Sequence, residues 1–381
     1  MRWTFLRAFG PTQHPWREAL DGERASQQAR ALHLQARILA RSPLQTVADE
    51  VGRRVALSLF QDQAVIAART NALAELAAEL ARWANDEGRP LALLKFAALH
   101  AAGVLPQGGR PASDIDVLVP ESHLSTWTAR LCDGGFHVHK TVEQGHQLAP
   151  LVDSGGRVVE LHRHVPGVRL PGRRKFATFE ALEQAGLLQP APRLACLIPS
   201  PALAAAHAVV HGLAQHGATP DAYPLARLPA DGIDLGLASG RLDHAHELIG
   251  DEVSVEEWQA TVRLCQRLEA GDAGLFASGA AHSPEVLLLR HIVAGVTDRR
   301  YVRALRPAAV LGTLVEDVGW RRAVRGTWQA LWLSDRQIDG IYGAPRSRGG
   351  YLLRRLRRPF DLAVRLLRSL WSGAVVRRPR P

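Results

Sequence analysis

The 381-residue sequence predicts an α+β protein, and three observations carry that prediction. Segments toward both ends repeat apolar residues every three to four positions, the spacing of one helix face. The stretch between them, Leu91 to about Gln189, breaks into short apolar runs separated by glycine-containing turns, the texture of strands. Within that stretch, carboxylates and histidines recur at alternate positions, so that each set shares a strand face.

Taken in order, residues 20–88 are rich in Ala, Leu, Gln, Glu and Arg. The run ALAELAAELARWANDEG has helical spacing and stops at Gly88-Arg89-Pro90, so residues 1–90 read as an N-terminal helical segment. LALL, DIDVLV, FHVH, HQLAPLV and RVVELHRHV then read as strands, with GGR, DGG and DSGG as turns. Together they predict a small mixed sheet with helices over residues 91–190. Helical periodicity returns over 191–345 in ALAAAHAVVHGLAQH, SVEEWQATVRLCQRLEA and SPEVLLLRHIVAGV. Several of these start after Ser or Pro, as helix N-termini favour. No repeat of solenoid period is present.

Composition narrows the class. Apolar residues at 46% and charged residues at 22% exclude a disordered chain. The length supports a buried core without disulfides. Cys132, Cys196 and Cys265 form neither a disulfide framework nor a CxxC site, which suits a reducing cytoplasm. No charge-free run of 18 apolar residues predicts a membrane span, and the opening residues lack the pattern of a signal peptide.

The net charge of +10 sits in one place. Residues 346–381 hold 11 arginines and one acid, and removing them from totals of 47 and 37 leaves 36 basic and 36 acidic residues in 1–345. In this basic tail Leu352, Leu353 and Leu356, then Leu362, Leu366 and Leu370, form an apolar stripe bordered by arginines. Such a stripe reads as a terminal helix docked on the body, as a peripheral contact with an anionic membrane surface, or as a contact with nucleic acid phosphates. The chain has three lysines, Lys95, Lys140 and Lys175, against 44 arginines, a bias typical of a GC-rich genome.

The chemistry concentrates in Asp114-Ile115-Asp116-Val117-Leu118-Val119. On a strand, Asp114 and Asp116 point the same way about 7 Å apart, while Ile115, Val117 and Val119 take the other face. A magnesium ion, which prefers oxygen ligands, would relieve their repulsion. The competing reading is two solvated acids on a surface strand. In VVELHRH, Glu160, His162 and His164 share a second face, and a hairpin-rich unit would bring Glu160 beside the aspartates. Three converging acids suit two-metal phosphoryl or nucleotidyl transfer. Zinc held by His162 and His164 lacks further ligands at suitable spacing, and His207, His211 and His216 read as helix-face packing groups. No Walker loop, GxSxG or HExxH occurs.

The order LLKFAALH, GGRPASDIDVLVP, LCDGGFHV, VVELHRHV resembles the uncharacterised nucleotidyltransferase family of the DNA polymerase β superfamily. The resemblance, over roughly residues 70–240, implies a polymerase β-like core and transfer of NMP from an NTP, with two Mg²⁺ as cofactors. Carried over by position, it implies Asp114, Asp116 and Glu160 as catalytic metal ligands, and Lys95, Arg110 and His162 as nucleotide-binding residues. In the helical half His207, His211 and Asp231 or Asp234 are weaker matches. The acceptor stays open among small molecule, peptide, protein, glycan and RNA. Phe96 stands where family members usually carry a glycine that lets backbone amides approach phosphates. That departure keeps a catalytically degenerate nucleotide-binding or scaffold protein as the alternative, alongside an adaptor acting through its tail.

Overall fold

The computed structural model describes residues 2–10, 20–104, 110–138, 146–173, 175–215, 223–249, 253–276, 283–297, 347, 349–357 and 360. The calls on Lys140, His216 and most of the basic tail therefore lie outside the described residues. The chain begins with helices α1 (Arg2–Phe9), α2 (Gly22–Ala31), α3 (Gln35–Arg41), α4 (Leu44–Val51) and the long α5 (Arg53–Asp86). The stop expected at Gly88 is a Schellman turn. Gly88 takes φ +61°, its N–H donates to Asn85 O at 3.3 Å, and Arg89 N–H donates to Ala84 O at 2.8 Å.

The strand-rich middle follows: β1 (Ala92–Leu93), α6 (Lys95–Ala101), β2 (Ile115–Leu118), α7 (Leu124–Asp133), β3 (His137–Val138), β4 (Leu151–Val152), β5 (Val158–His162), β6 (His164–Arg169), β7 (Phe176–Thr178), α8 (Phe179–Gln184), β8 (Leu188–Pro190) and β9 (Leu197–Pro199). Seven strands form one mixed sheet in the order β3-β4-β5-β2-β1-β9-β8. The β2–β5 and β1–β9 pairs are parallel, and the rest antiparallel. This is the small mixed sheet the sequence predicts, although it runs past residue 190 to Pro199. One strand differs from expectation. RVVELHRHV bends at Arg163, whose N–H donates to His146 O at 2.8 Å. His164 thereby leaves the main sheet and starts β6, which forms a separate two-stranded sheet with β7.

Helices α9 (Pro201–Val210), α10 (Tyr223–Asp234), α11 (Val255–Glu269) and α12 (Pro284–Thr297) complete the described body. Ser200 caps α9, with Pro201 in its first turn. Ser254 and Glu257 close a capping box on α11. The apolar face of α5 is shared between two cores. Its C-terminal half sets Leu73, Leu76 and Leu80 against Ile115, Val117, Trp127 and Val159 of the sheet layer. Its N-terminal part joins α1–α4 in a core with Leu225, Leu264, Leu268 and Ile292 from α10–α12. The two helical ends of the sequence are thus one packed body rather than separate appendages.

Gly232 allows α10 to lie close on α11. A Cβ there would sit 2.8 Å from Cys265 Sγ and 3.0 Å from Leu237 Cδ1. Gly232→Ala therefore overpacks this contact and lowers stability by about 1–3 kcal/mol, measured as a reduced urea midpoint with unchanged slope.

Candidate active site

The register of two strands builds the site. β2 and β5 run parallel with Asp116 directly opposite Glu160 and Leu118 opposite His162. Side chains on facing positions of neighbouring strands share a face, so Asp116, Glu160 and His162 converge while Ile115, Val117, Val159 and Leu161 enter the core behind them. Asp114 immediately precedes β2 and joins the acids from the loop side. The structure therefore brings the three predicted carboxylates together, as the alternating pattern implied. His164 departs from this group: it is buried in the second hairpin, with its ring stacked on Phe176 at 5.3 Å.

β1 delivers the cation. It pairs antiparallel with β2, and Leu94 N–H donates to Asp116 O at 2.9 Å. This pairing sets Lys95 beside the acids, and its Nζ lies 2.7 Å from Asp116 Oδ1. Lys95 has φ +45°, a left-handed conformation that costs a non-glycine residue about 1–2 kcal/mol. Phe96, the departure from the family pattern, is 5% exposed and packs in the core between α5 and the sheet. Its ring also stacks on His100 at 6.2 Å.

Electrostatics separates the acids. Burial disfavours ionised Asp116, but the Lys95 ammonium and a 2.9 Å hydrogen bond from His162 Nε2 outweigh it and hold the carboxyl well below the usual range. Glu160 has the opposite balance. Burial, then the charges of Asp116 and Asp114, push it up to about 7. Asp114 also rises, through burial and repulsion by Asp116. Burial opposes the Lys95 charge, yet the surrounding carboxylates raise its affinity for its proton. His162 is fully buried and lowered by that burial, so its neutral ring donates to Asp116 and orients it.

Oxygens of Asp116 and Glu160 and a ring nitrogen of His162 lie within 4.8 Å of one another, the group of this kind found among the described residues. A donor set dominated by carboxylates fits a hard divalent cation. A family model described as an uncharacterised nucleotidyltransferase matches residues 18–226, more than half of the chain. The chain belongs to this nucleotidyltransferase family. No curated protein matches it.

In this nucleotidyltransferase, Arg110 is buried and engaged by the helical half of the chain. Its Nε and Nη2 each donate to Asp231 at 2.9 Å, and both residues are buried. Asp234 instead pairs with Arg37 at 2.6 Å. His207 and His211 face each other edge-on at 5.8 Å and do not belong to the metal-ligand group of Asp116, Glu160 and His162. Sequence reasoning missed Gln147, which is buried, bridges to His162 on the sheet and hydrogen-bonds Glu160 through its side chain. It also missed His146, whose ring lies 5.5 Å from that of His162 and whose proton affinity is lowered well below the usual imidazole range, first by burial and then by His162 and Lys95 beside it. Neither residue sits in a recognisable spacing, so tertiary structure alone exposes them.

The raised proton affinity of Glu160 has a thermodynamic sign. An acid whose folded pKa lies above its unfolded value near 4.5 stabilises the fold fully only below that value. The contribution is lost as pH rises through about 7. In EDTA, Glu160→Gln should therefore raise stability at pH 8 relative to pH 5, by up to about 3 kcal/mol, measured by urea unfolding at both pH values.

Proposed function

We propose that this nucleotidyltransferase moves NMP from an NTP to an acceptor hydroxyl or phosphate, releasing pyrophosphate, with Asp114, Asp116 and Glu160 holding two Mg²⁺. The observation that carries the reading is the parallel register that sets Asp116 against Glu160, with Asp114 and Lys95 converging on the same spot. Magnesium, when bound, neutralises triphosphate charge and activates the attacking oxygen. The chain's own groups divide the remaining work. Asp116 stays ionised under Lys95 and His162, which both meet its Oδ1, and so keeps a charged carboxylate for a metal ion. Glu160, with its side chain 18% exposed, completes the set of oxygen ligands. Lys95, 22% exposed at its side chain, is the cation placed to meet the triphosphate. Arg110, with its fork committed to Asp231, supports the site from behind.

Burial of Phe96 supports turnover over a degenerate scaffold, because the ring fills core space instead of covering the polar face. The measurement is thermal unfolding of the full chain with Mg²⁺ and each of ATP, GTP, CTP and UTP, beside the Asp116→Asn variant. Both proteins carry the same arginine tail, so nonspecific nucleotide binding cancels. The expected result is an Mg²⁺-dependent rise in Tm with at least one nucleotide that is absent from the variant. Identical behaviour of the two proteins overturns the reading.

One observation favours a role for the tail as well. Residues 349–357 are helical, and Leu352, Leu353, Leu356 and Phe360 are 50–73% exposed among arginines. From these exposed apolar side chains among arginines we infer contact with an anionic membrane surface. Vesicles containing phosphatidylserine should co-sediment the protein at low salt, and removal of residues 346–381 should abolish that co-sedimentation.

A further inference from the structure

We propose that α10, through Asp231 and Tyr223, is a clamp that positions Asp114. The inference rests on the reading of the carboxylates as a metal site. Asp114 differs from Asp116 and Glu160 in lying outside the strand ladder, at the end of the segment Arg110-Pro111-Ala112-Ser113. A side chain on a loop is only as well placed as the contacts that hold the loop, and here those contacts come from outside the sheet.

Three points fix the segment. At its start, Arg110 forms a two-pronged ion pair with Asp231, 121 positions further along the chain, at 2.9 Å for both hydrogen bonds. At the next residue, Tyr223 Oη donates to Pro111 O. Near its end, Arg69 of α5 donates to Ser113 O at 3.4 Å. The clamp is itself anchored. Arg227, one turn before Asp231 on α10, donates to Asp231 Oδ1 at 2.9 Å and to His33 O at 3.2 Å. Arg227 is completely buried, and Arg110 and Asp231 are each 8% exposed. The ring of His33, whose backbone has φ +54°, meets Tyr223 edge-on at 4.6 Å.

Charge ties the clamp to the site. Two guanidiniums share one carboxylate, which leaves a buried excess of one positive charge behind the acids. Arg110 is close enough to favour ionised Asp114 and to be favoured in turn by Asp116. A bidentate arginine pair defines both distance and plane, so it sets the direction in which the loop enters β2. The carboxylate assignments come from the sheet, whereas the alignment of Asp114 with them comes from α10.

A double-mutant cycle on Mn²⁺ binding by the full chain tests this, read as loss of the free-ion EPR signal, with Asp116→Asn as the separate control for nonspecific binding. Tyr223→Phe is expected to weaken Mn²⁺ binding about threefold to tenfold. It should cause no further loss when Asp114→Asn is already present, because both changes remove the same placed ligand. Asp231→Asn should show the same dependence on Asp114 with a larger single effect. It leaves two buried guanidiniums without a counter-charge, so circular dichroism first establishes that it is folded. Tyr223→Phe, which removes one hydroxyl, carries the test if Asp231→Asn does not fold. Unchanged Mn²⁺ affinity in Tyr223→Phe, or losses that add to that of Asp114→Asn, overturns the clamp and leaves the metal site standing. Wild-type binding no stronger than that of Asp116→Asn overturns the metal-site reading and the clamp with it.

Discussion

Two carboxylates facing each other across a parallel strand pair are the constraint around which this structure is organised. Asp116 and Glu160 occupy partnered positions on β2 and β5. Strands in a sheet lie about 4.8 Å apart. Two negative charges about 5 Å apart repel by about 3 kcal/mol at an effective dielectric near 20. No strand pairing would retain that arrangement without compensation. Here the compensation is specific: an ammonium from the end of β1, an imidazole two residues beyond Glu160, and a proton that Glu160 holds to near neutrality. The left-handed backbone at Lys95 belongs to the same account, since strain of this kind persists only where the surroundings over-determine it.

The polar face depends on its apolar reverse. Ile115, Val117, Val159 and Leu161 anchor the two strands against α5 and α7, and alternation then leaves Asp116, Glu160 and His162 no other direction to point. A slip of one residue between β2 and β5 would bury the acids among leucines, so the hydrophobic layer enforces the register that the chemistry needs. Phe96 takes part in that layer. The bulky side chain of Phe96 is therefore accommodated as core, and the polar surface beside it is built by Lys95.

Much of this was legible before any coordinates. Period-two alternation in DIDVLV and VVELH identified the strands, their faces and the carboxylates, because strand geometry converts spacing directly into direction. The helix boundaries at Gly88, Ser200 and Ser254 carried local chemical signals that the backbone obeyed. What remained hidden was non-local. Nothing in RVVELHRHV announces that Arg163 bends the chain, since the bend is made by a hydrogen bond to His146 across the sheet. Arg110 looked like a phosphate contact because its partner, Asp231, lies 121 positions away. The division into an N-terminal segment and a C-terminal helical domain followed composition, which is blind to the core those helices share.

That shared core has a consequence for how the protein comes into being. Arg37 and Asp234, paired in the folded body, are 197 positions apart, and Trp3 and Phe5 share their core with Ile292 of α12. At ribosomal rates of about 5–20 residues per second, the first helices wait roughly 10–45 s for the helices that cover them. During that interval α1–α4 and the start of α5 have only one another to cover their apolar faces. Synthesis of this chain is therefore a period of exposed hydrophobic surface that ends only when its last core helices emerge, and the nascent protein is a natural client for chaperones that shield such faces.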